Sequence, residues 1–364
     1  MPLAALALLL ALPATPGESV RIAVGRFPDV VEVKAQGLVV IADGTSAPAD
    51  KGYVRITAGK GGPRVAGREL KADVVRLEAP GTLALRGHTY HQRLEVQWRR
   101  YDGKPELLVV HPLDLETYVA GIVSSELPGG WPLEAYKAQA VAARTFALWQ
   151  KYRRLDLPYH LEASVLDQVY QGVEREHALA QQAARETMGE VLTWRHLVAQ
   201  AYFHASCGDR TESAREGWGT ELPYLPGSTC GTCKLATRYG WNARIARADV
   251  DRALAPLLGE PLVAVSVKGR TASGRAKGVL LAGKTKQRTI TAADLRRLLG
   301  YSTVWSTFID KLAFEGGALV VHGKGSGHGV GLCQWGARGL ADDGVGYREI
   351  LARYYPGATL RRAY

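Results

Sequence analysis

Glu126 is the carboxylate in this 364-residue sequence whose position best suits acid–base chemistry. Asp114 is a good helix N-cap, and apolar residues follow it at the spacing of one helix face. These are Leu115, Tyr118, Val119 and Ile122. Glu126 extends the same stripe, so a helix that continues this far carries a carboxyl group to the edge of apolar packing. Burial disfavours the charged form of a carboxyl group and suits it to act as a general acid.

The same pattern also has a structural interpretation, in which Glu126 is a buried carboxylate paired with Arg or Lys. The pattern alone favours that interpretation. Two neighbouring carboxylates have simple structural explanations. Glu116 is expected on the solvated side of the first helix, and Glu134 lies in the first turn after Pro132, where negative charge suits the helix dipole.

A second helix is predicted from Pro132 to about Arg153. Lys137 and Arg144 are seven residues apart and therefore lie nearly on one face of it, whereas Gln139 points elsewhere. Taken alone, such a face is solvated. If Glu126 acts on a polymer that binds beside it, this face is a candidate wall of the binding groove.

Three of the four cysteines form, with one histidine, the pattern of a metal site. His204-x-x-Cys207 and Cys230-x-x-Cys233 supply the ligand types and paired spacing of a tetrahedral structural zinc site. In an oxidising compartment the same thiols favour a disulfide from Cys207 to Cys230 or Cys233. Both interpretations stay open, and both predict that these three cysteines lie close together with His204 nearby. Cys333 stands alone and is expected to be a small buried residue.

The segment from Gly278 to Thr285 matches the phosphate-binding loop pattern letter for letter. A phosphate loop must lead directly into a helix. Here residues 279–281 read as a strand, Gly283-Lys284 as a turn and residues 288–290 as a returning strand, before a helix capped by Thr291. The context therefore excludes ATP as a ligand.

The N-terminus predicts an exported protein. Residues 1–12 are almost wholly apolar and lead into small and turn-forming residues, which is typical of a signal peptide over residues 1–17. A misassigned start and a buried N-terminal helix are the alternatives. The net charge of +11 is spread without any block of like charges. Outside the membrane the abundant polyanions are wall polymers and lipid head groups, so nucleic acid is not expected as a partner and the cell wall or periplasm is the expected location.

The hydrophobic periodicity predicts an α+β fold. Strand-like runs occur at residues 20–24, 38–41, 53–56, 94–98 and 107–110, with a hairpin turn at Asp102-Gly103. Helical patterns follow at about 113–153, 177–188, 332–342 and 347–355. The expected organisation is a β-rich N-terminal region, residues 18–105, packed on a mixed α/β core with a groove, residues 106–364.

Several short motifs, in order, resemble those of the SpoIID/LytB family of sporulation wall enzymes and amidase-associated proteins. They are Ser125-Glu126-Leu127-Pro128 with Trp131-Pro132-Leu133-Glu134-Ala135, residues 137–145 (KAQAVAART), Asp167-Gln168-Val169-Tyr170-Gln171-Gly172, His204-Ala205-Ser206-Cys207-Gly208, Thr211-Glu212-Ser213, Trp218-Gly219, Pro223-Tyr224-Leu225, Gly327-His328-Gly329-Val330-Gly331, Gln334-Trp335-Gly336-Ala337 and residues 350–357 (ILARYYPG). The resemblance covers roughly residues 80 to 364.

The resemblance implies a lytic transglycosylase that cleaves peptidoglycan glycan strands after an amidase has removed their stem peptides. It also implies that Glu126 is the one catalytic carboxylate and that no cofactor is required. Ordinary glycosidases need a second carboxylate, whereas here the 6-hydroxyl of the muramic sugar replaces water. The other matching polar and aromatic residues are expected to line the groove: Lys137, Gln139, Arg144, Tyr170, Gln171, Ser206, His328 and Gln334.

A non-catalytic alternative stays open, because the family also includes proteins described as enhancers of amidases. Such a protein would bind glycan and present it to an N-acetylmuramoyl-L-alanine amidase. Some family members carry zinc ligands just ahead of the segment that matches residues 167–170. This sequence keeps only His160 there and has no cysteine, so that zinc site is expected to be lost.

Overall fold

One large sheet dominates the N-terminal half of the computed structural model, which describes residues 17–164, 167–168 and 170–364. Its strands are β1 (Ser19–Phe27), β2 (Val30–Lys34), β3 (Val39–Ala42), β4 (Thr45–Pro48), β5 (Tyr53–Ala58), β6 (Pro63–Val65), β7 (Arg68–Glu69), β8 (Val74–Leu85), β9 (His88–Tyr101), β10 (Lys104–Asp114) and β11 (Leu161–Glu162). The order is β11-β1-β10-β9-β8-β2-β5-β6-β7, with β3 joining β8 to β4. Each strand predicted before residue 111 is present, and the α+β fold class is confirmed.

The turn at Asp102-Gly103 joins β9 to β10 as predicted. Both turn residues have positive φ, 48° and 75°, which is the geometry of a type I′ hairpin. Tyr101 pairs directly with Lys104 across the turn. The turn thereby sets the register of two of the longest strands, which place their buried faces against the helices.

Two helices lie on this sheet, α1 (Leu115–Glu126) and α2 (Leu133–Arg153). Asp114 caps α1 as predicted, because its carboxylate accepts a hydrogen bond of 2.9 Å from the backbone amide of Thr117. Residues of the sheet and of both helices share one continuous hydrophobic core. The helix α1 ends at Glu126, so this core determines where that carboxyl group lies.

The helix α2 is buried on nearly all sides, as expected of a helix without a continuous polar face. Its buried positions are mostly small, among them Ala138, Ala142 and Ala147. It packs against α1, α3 (Ala178–Glu186) and β12 (Glu190–Trp194), and against two C-terminal helices, α7 (Gln334–Asp342) and α8 (Tyr347–Tyr354). Small side chains let these elements approach it closely.

Outside residues 240–324, short elements connect β12 to α7. They are β13 (Leu197–Val198), β14 (Phe203–His204), α4 (Ala214–Trp218) and β21 (Leu332–Cys333). The last strand, β22 (Thr359–Arg362), pairs with β12. The strand β14 pairs in parallel with β21, which brings two distant parts of the sequence together. Single 3-10 turns are at Asp50–Gly52, Val173–Arg175 and Cys233–Leu235.

Residues 240–324 form a unit with a second hydrophobic core. Its elements are β15 (Gly240–Ala246), α5 (Arg247–Leu258), β16 (Ala264–Arg270), β17 (Ala276–Ala282), β18 (Gln287–Thr291), α6 (Ala292–Leu299), β19 (Ile309–Glu315) and β20 (Ala318–Lys324). They build two three-stranded sheets. The chain leaves and returns at one place, where the amide of Gly325 donates to the carbonyl of Tyr239 at 3.0 Å.

The phosphate-loop-like segment lies in this unit, and the predicted context is confirmed. Residues 283–286 connect β17 to β18, with Ala282 paired to Gln287, so the segment is a hairpin. The following helix begins after Thr291, whose side chain caps it.

The boundary expected between residues 105 and 106 falls inside β10, which pairs with β1 and β9 in the same sheet. The predicted signal peptide, residues 1–17, lies outside the described residues except for Gly17. Within the described part of the chain, no helix has the length and apolar character that crossing a membrane requires.

Candidate active site

A cleft of about 760 Å³ lies between the helical core and the 240–324 unit. Three parts of the chain line this cleft. They contribute Glu126, Asp167 and Gln168 beside α1, then Phe203, His204 and His328 around β14, and Arg296, Tyr301 and Trp305 from the 240–324 unit. Aromatic rings and a few convergent polar groups are the usual composition of a ligand site.

Glu126 is half-buried at the end of α1. Nε2 of Gln334 donates a hydrogen bond of 3.2 Å to Oε2 of Glu126, and the same nitrogen lies 3.4 Å from Oε1 of Gln139. The first residue of α7 and a residue of α2 thus converge on the end of α1. The structure therefore brings together three of the predicted site residues.

Asp167 is the second carboxylate that lines the cleft, and it is occupied by structural partners. Its side chain is 3% exposed and forms an ion pair of 2.6 Å with Arg154. It also accepts from Gln150 at 2.6 Å and from the backbone amide of Glu162 at 2.8 Å. These bonds hold the segment after α2 in place.

The prediction that Arg144 lines the groove is wrong. Its side chain is completely buried and forms a two-pronged ion pair with Glu116, at 2.8 and 2.6 Å. It also donates to the carbonyls of Ala184 and Glu190 at 3.1 and 3.2 Å. The expectation that Glu116 is solvated is wrong for the same reason, since this pair joins α1, α2 and α3.

Lys137, like Arg144, faces the helix α3. Its ammonium group contacts Glu134 at 2.8 Å and Glu186 of α3 at 2.7 Å. Lys137 and Arg144 therefore share one face of α2, as their spacing predicted, but that face packs against α3. Gln139 lies on the side of α2 that reaches Glu126.

Tyr170 is not a groove residue either, which corrects a second prediction. Its ring is 4% exposed and lies among the rings of Tyr90, His111 and Tyr118, with centroids 5.6 to 6.3 Å away. Burial raises the pKa of its hydroxyl far above the ordinary value. The aromatic side chain contributes packing between the sheet and α1, and Gln171 is half-buried next to it.

Of the two residues predicted to line the groove near β14, His328 lines the cleft and Ser206 does not. Ser206 is buried and pairs with Ser326 through backbone hydrogen bonds of 3.0 and 2.7 Å. His328 lines the cleft, and its Nδ1 accepts from the amide of Val330 at 3.1 Å. The rings of His204 and Trp218 lie 5.5 and 5.1 Å from its ring centre.

The pKa of His328 is lowered to about 4, because burial disfavours the imidazolium and two cations, Arg296 and Arg275, lie nearby. Burial lowers the pKa of His204 well below its ordinary value. In the unfolded chain both groups take up protons near their ordinary pKa of 6.5. The unfolded state thus binds more protons than the folded state below that pH, and acid favours unfolding.

We therefore expect these two histidines to lower the free energy of unfolding as the pH falls from about 7 towards about 4, by up to roughly 1.4 kcal/mol per pH unit for each. Urea unfolding at a series of pH values measures this. His328→Gln should reduce the dependence. A wild-type midpoint that is equal at about pH 7 and about pH 5 would contradict the expectation.

The three predicted cysteines are close together, as expected. The sulfur atoms of Cys207, Cys230 and Cys233 lie within 4.8 Å of one another, and a fourth thiol belongs to the group. The fourth is Cys333, not His204, whose Nδ1 instead lies 3.1 Å from the carbonyl oxygen of Val330. Cys333 is buried as predicted, but the sequence pattern did not predict that its thiol joins the other three.

Arg296, Tyr301 and Trp305 were not predicted as site residues from the sequence. They lie in the 240–324 unit, which contains none of the SpoIID/LytB-like motifs. The guanidinium of Arg238 lies over the ring of Trp305, 4.2 Å from the ring centre, and the guanidinium of Arg296 lies 4.9 Å from the ring centre of Tyr301. An aromatic residue in a loop is the only signal that could have indicated Trp305.

The sequence profile of the family described as "Stage II sporulation protein" (SpoIID) matches residues 103–194. An uncharacterised protein of Brachyspira hyodysenteriae is 34% identical over 257 residues, which cover 70% of this chain and 68% of the relative. Stage II sporulation protein D of Bacillus subtilis is 28% identical over 275 residues, or 70% and 76% of the two chains. The amidase enhancer of the same species is 26% identical over 66% of this chain but only 40% of its own length.

This chain belongs to the SpoIID/LytB family, which confirms the resemblance seen in the sequence. The matched segment contains Glu126 and α2 but ends before the 240–324 unit and before Gln334.

Proposed function

We propose that this chain is a lytic transglycosylase that cleaves peptide-stripped peptidoglycan glycan strands and uses Glu126 as its one acid–base group. The observation that carries the proposal is the position of Glu126 in the cleft, with one carboxylate oxygen held by Gln334. The names of the relatives support a role in sporulation or the cell wall.

In this reaction the Glu126 carboxyl group gives its proton to the glycosidic oxygen as the bond to C1 of the muramic sugar breaks. The C1 centre then has oxocarbenium character. The resulting carboxylate takes the proton from the 6-hydroxyl of the same sugar, and O6 bonds to C1. The products are a free 4-hydroxyl on one fragment and a 1,6-anhydromuramic end on the other, without consumption of water.

Gln334 supports the acid half of this cycle and holds the carboxylate in place. A donor on Oε2 stabilises the carboxylate that forms when the proton leaves. Gln139 fixes the amide of Gln334, because Nε2 can direct one hydrogen to Glu126 and the other to Gln139. Asp167 is the other carboxylate of the described cleft lining, and its bonds to Arg154 and Gln150 favour a structural role. One acid–base group therefore agrees with the geometry.

The opposite wall suits a sugar chain. Trp305 and Tyr301 line this wall with aromatic side chains, and Arg296 adds a cation whose Nε is fixed by a 2.8 Å bond to the carbonyl of Val304. A muramic residue that has lost its peptide carries a free lactyl carboxylate. Such an anion pairs well with a guanidinium, which supports peptide-stripped glycan as the substrate.

The proposal also places the protein outside the cytoplasmic membrane, where its substrate is, with an amidase acting before it. The export signal expected at residues 1–17 and the amidase partner are parts of this proposal. The relative named as an amidase enhancer is the reason to test a purely binding role as well.

The test is incubation of the purified chain with peptide-stripped glycan and analysis of the products by mass spectrometry. We expect fragments with 1,6-anhydromuramic ends, which are lighter by one water than hydrolysis products. Glycan that still carries stem peptides is the matched control and should be cleaved much more slowly. Intact glycan together with faster peptide release by an added amidase would establish the enhancer role instead.

A further inference from the structure

Four buried thiols meet beneath the β14 side of the cleft. We propose that Cys207, Cys230, Cys233 and Cys333 bind a single divalent transition-metal ion of the zinc class through all four sulfurs. The four residues come from three segments of the chain, and each is buried. Their sulfur atoms all lie within 4.8 Å of one another.

The spacing fits a metal better than a disulfide. A zinc ion with Zn–S bonds of about 2.3 Å at the centre of a tetrahedron separates its sulfurs by about 3.8 Å. Cys207 and Cys233 have their sulfurs 3.5 Å apart, and the other pairs fall within the same 4.8 Å. One disulfide would join two of the sulfurs and leave two thiols without a role, and two disulfides would need two bonded pairs, whereas all four cysteines are free in the structure. A four-sulfur site uses all of them.

The surroundings supply the hydrogen bonds that coordinated thiolates require. The amides of Cys207 and Gly336 both donate to the sulfur of Cys333 at 3.3 Å. The hydroxyl of Tyr354 lies 3.0 Å from the sulfur of Cys230. Gly336 admits no side chain, because an added Cβ would lie 2.4 Å from the sulfur of Cys230.

A buried cation balances the charge. Binding of a divalent ion displaces the protons of the four thiols and leaves a site with two excess negative charges. The Arg275 guanidinium is 1% exposed and donates to the carbonyl of Cys207 at 2.6 Å. Its Nε and Nη1 are buried without a hydrogen-bond partner among the described residues. A buried arginine is costly without opposite charge nearby, and a metal–thiolate centre would provide that charge.

The ion would also position the active site, an aspect that rests on the proposed function. Cys333 directly precedes Gln334, which donates to Glu126. Cys207 follows the segment that contributes His204 to the cleft wall. The bound ion therefore ties the start of α7 to the β14 segment and limits the movement of Gln334.

The experiment uses the full chain and needs no glycan, so its failure is distinguishable from failure of the proposed activity. Elemental analysis should find about one zinc per chain. After exchange with Co²⁺, the chain should show the strong visible bands of a tetrahedral site and a sulfur-to-cobalt charge-transfer band. In denaturant with a chelator and no reductant, all four thiols should react with a thiol reagent.

Two variants test the ligand set. Cys333→Ser should weaken Co²⁺ binding by at least about 100-fold and reduce the charge-transfer band. His204→Gln should leave the spectrum unchanged, because His204 is not a ligand. The reverse result would overturn the ligand assignment. A wild-type chain without zinc or cobalt bands, or with fewer than four reactive thiols, would overturn the site itself, even if Cys333→Ser did not fold.

Discussion

Replacing Glu126 by glutamine is expected to abolish glycan cleavage and to leave folding and glycan binding nearly intact. The amide keeps the shape of the side chain, and its carbonyl oxygen can still accept the hydrogen bond from Gln334. It can neither give a proton to the glycosidic oxygen nor take one from the 6-hydroxyl. A general acid or base typically contributes about 10²- to 10⁴-fold, so the loss of both roles should reach about 10⁴-fold or more.

The rate of appearance of anhydro ends measures the effect, and binding to insoluble glycan serves as the second readout. Glu126→Asp keeps the acid but withdraws it by one methylene, so it should retain partial activity. Glu221→Gln makes the same chemical change at a side chain that is 74% exposed and should be neutral. A well-folded Glu126→Gln protein that still released anhydro ends would exclude Glu126 as the catalyst and direct attention to Asp167.

Replacing Arg144 by alanine is expected to lower the free energy of unfolding by about 3 to 5 kcal/mol, because it breaks a buried ion pair. Glu116 keeps its hydrogen bonds from the amide of Gly189 and the hydroxyl of Tyr364 but loses its cation. The backbone carbonyls of Ala184 and Glu190 lose their donors as well. Urea unfolding followed by circular dichroism measures the change. The folded fraction should bind glycan as the wild type does, since the guanidinium has no exposure to the cleft.

A matched control is Arg252→Ala, which removes an ion pair with Asp249 from a side chain that is 77% exposed. Exposed pairs contribute about 1 kcal/mol or less. The double change Arg144→Met with Glu116→Leu should recover much of the stability, because apolar residues can replace a buried pair. Weakened glycan binding with unchanged stability in Arg144→Ala would restore the groove assignment that the sequence suggested.

The sequence alone determined the local structure around the site. Asp114 caps α1 through a bond to Thr117, three residues away, and Asp102-Gly103 closes a hairpin between adjacent strands. Both depend on interactions between neighbours in the chain, which periodicity and capping rules describe. The family motifs added Glu126 and Gln334, whose contact spans 208 residues and has no local signal.

Tertiary packing decided which face of each element meets the cleft. The spacing of Lys137 and Arg144 correctly placed them on one face of α2, but a helical period does not state what that face contacts. Here α3 and Glu116 occupy it, and Gln139 reaches the active site from the other side. Cys333 is the same case, since the pairing of β14 with β21 brings its thiol towards Cys207, and the packing of α7 on the turn at Cys233–Leu235 brings it towards the other two cysteines. Contacts between distant segments are set by the packing of whole elements, which no short stretch of sequence contains.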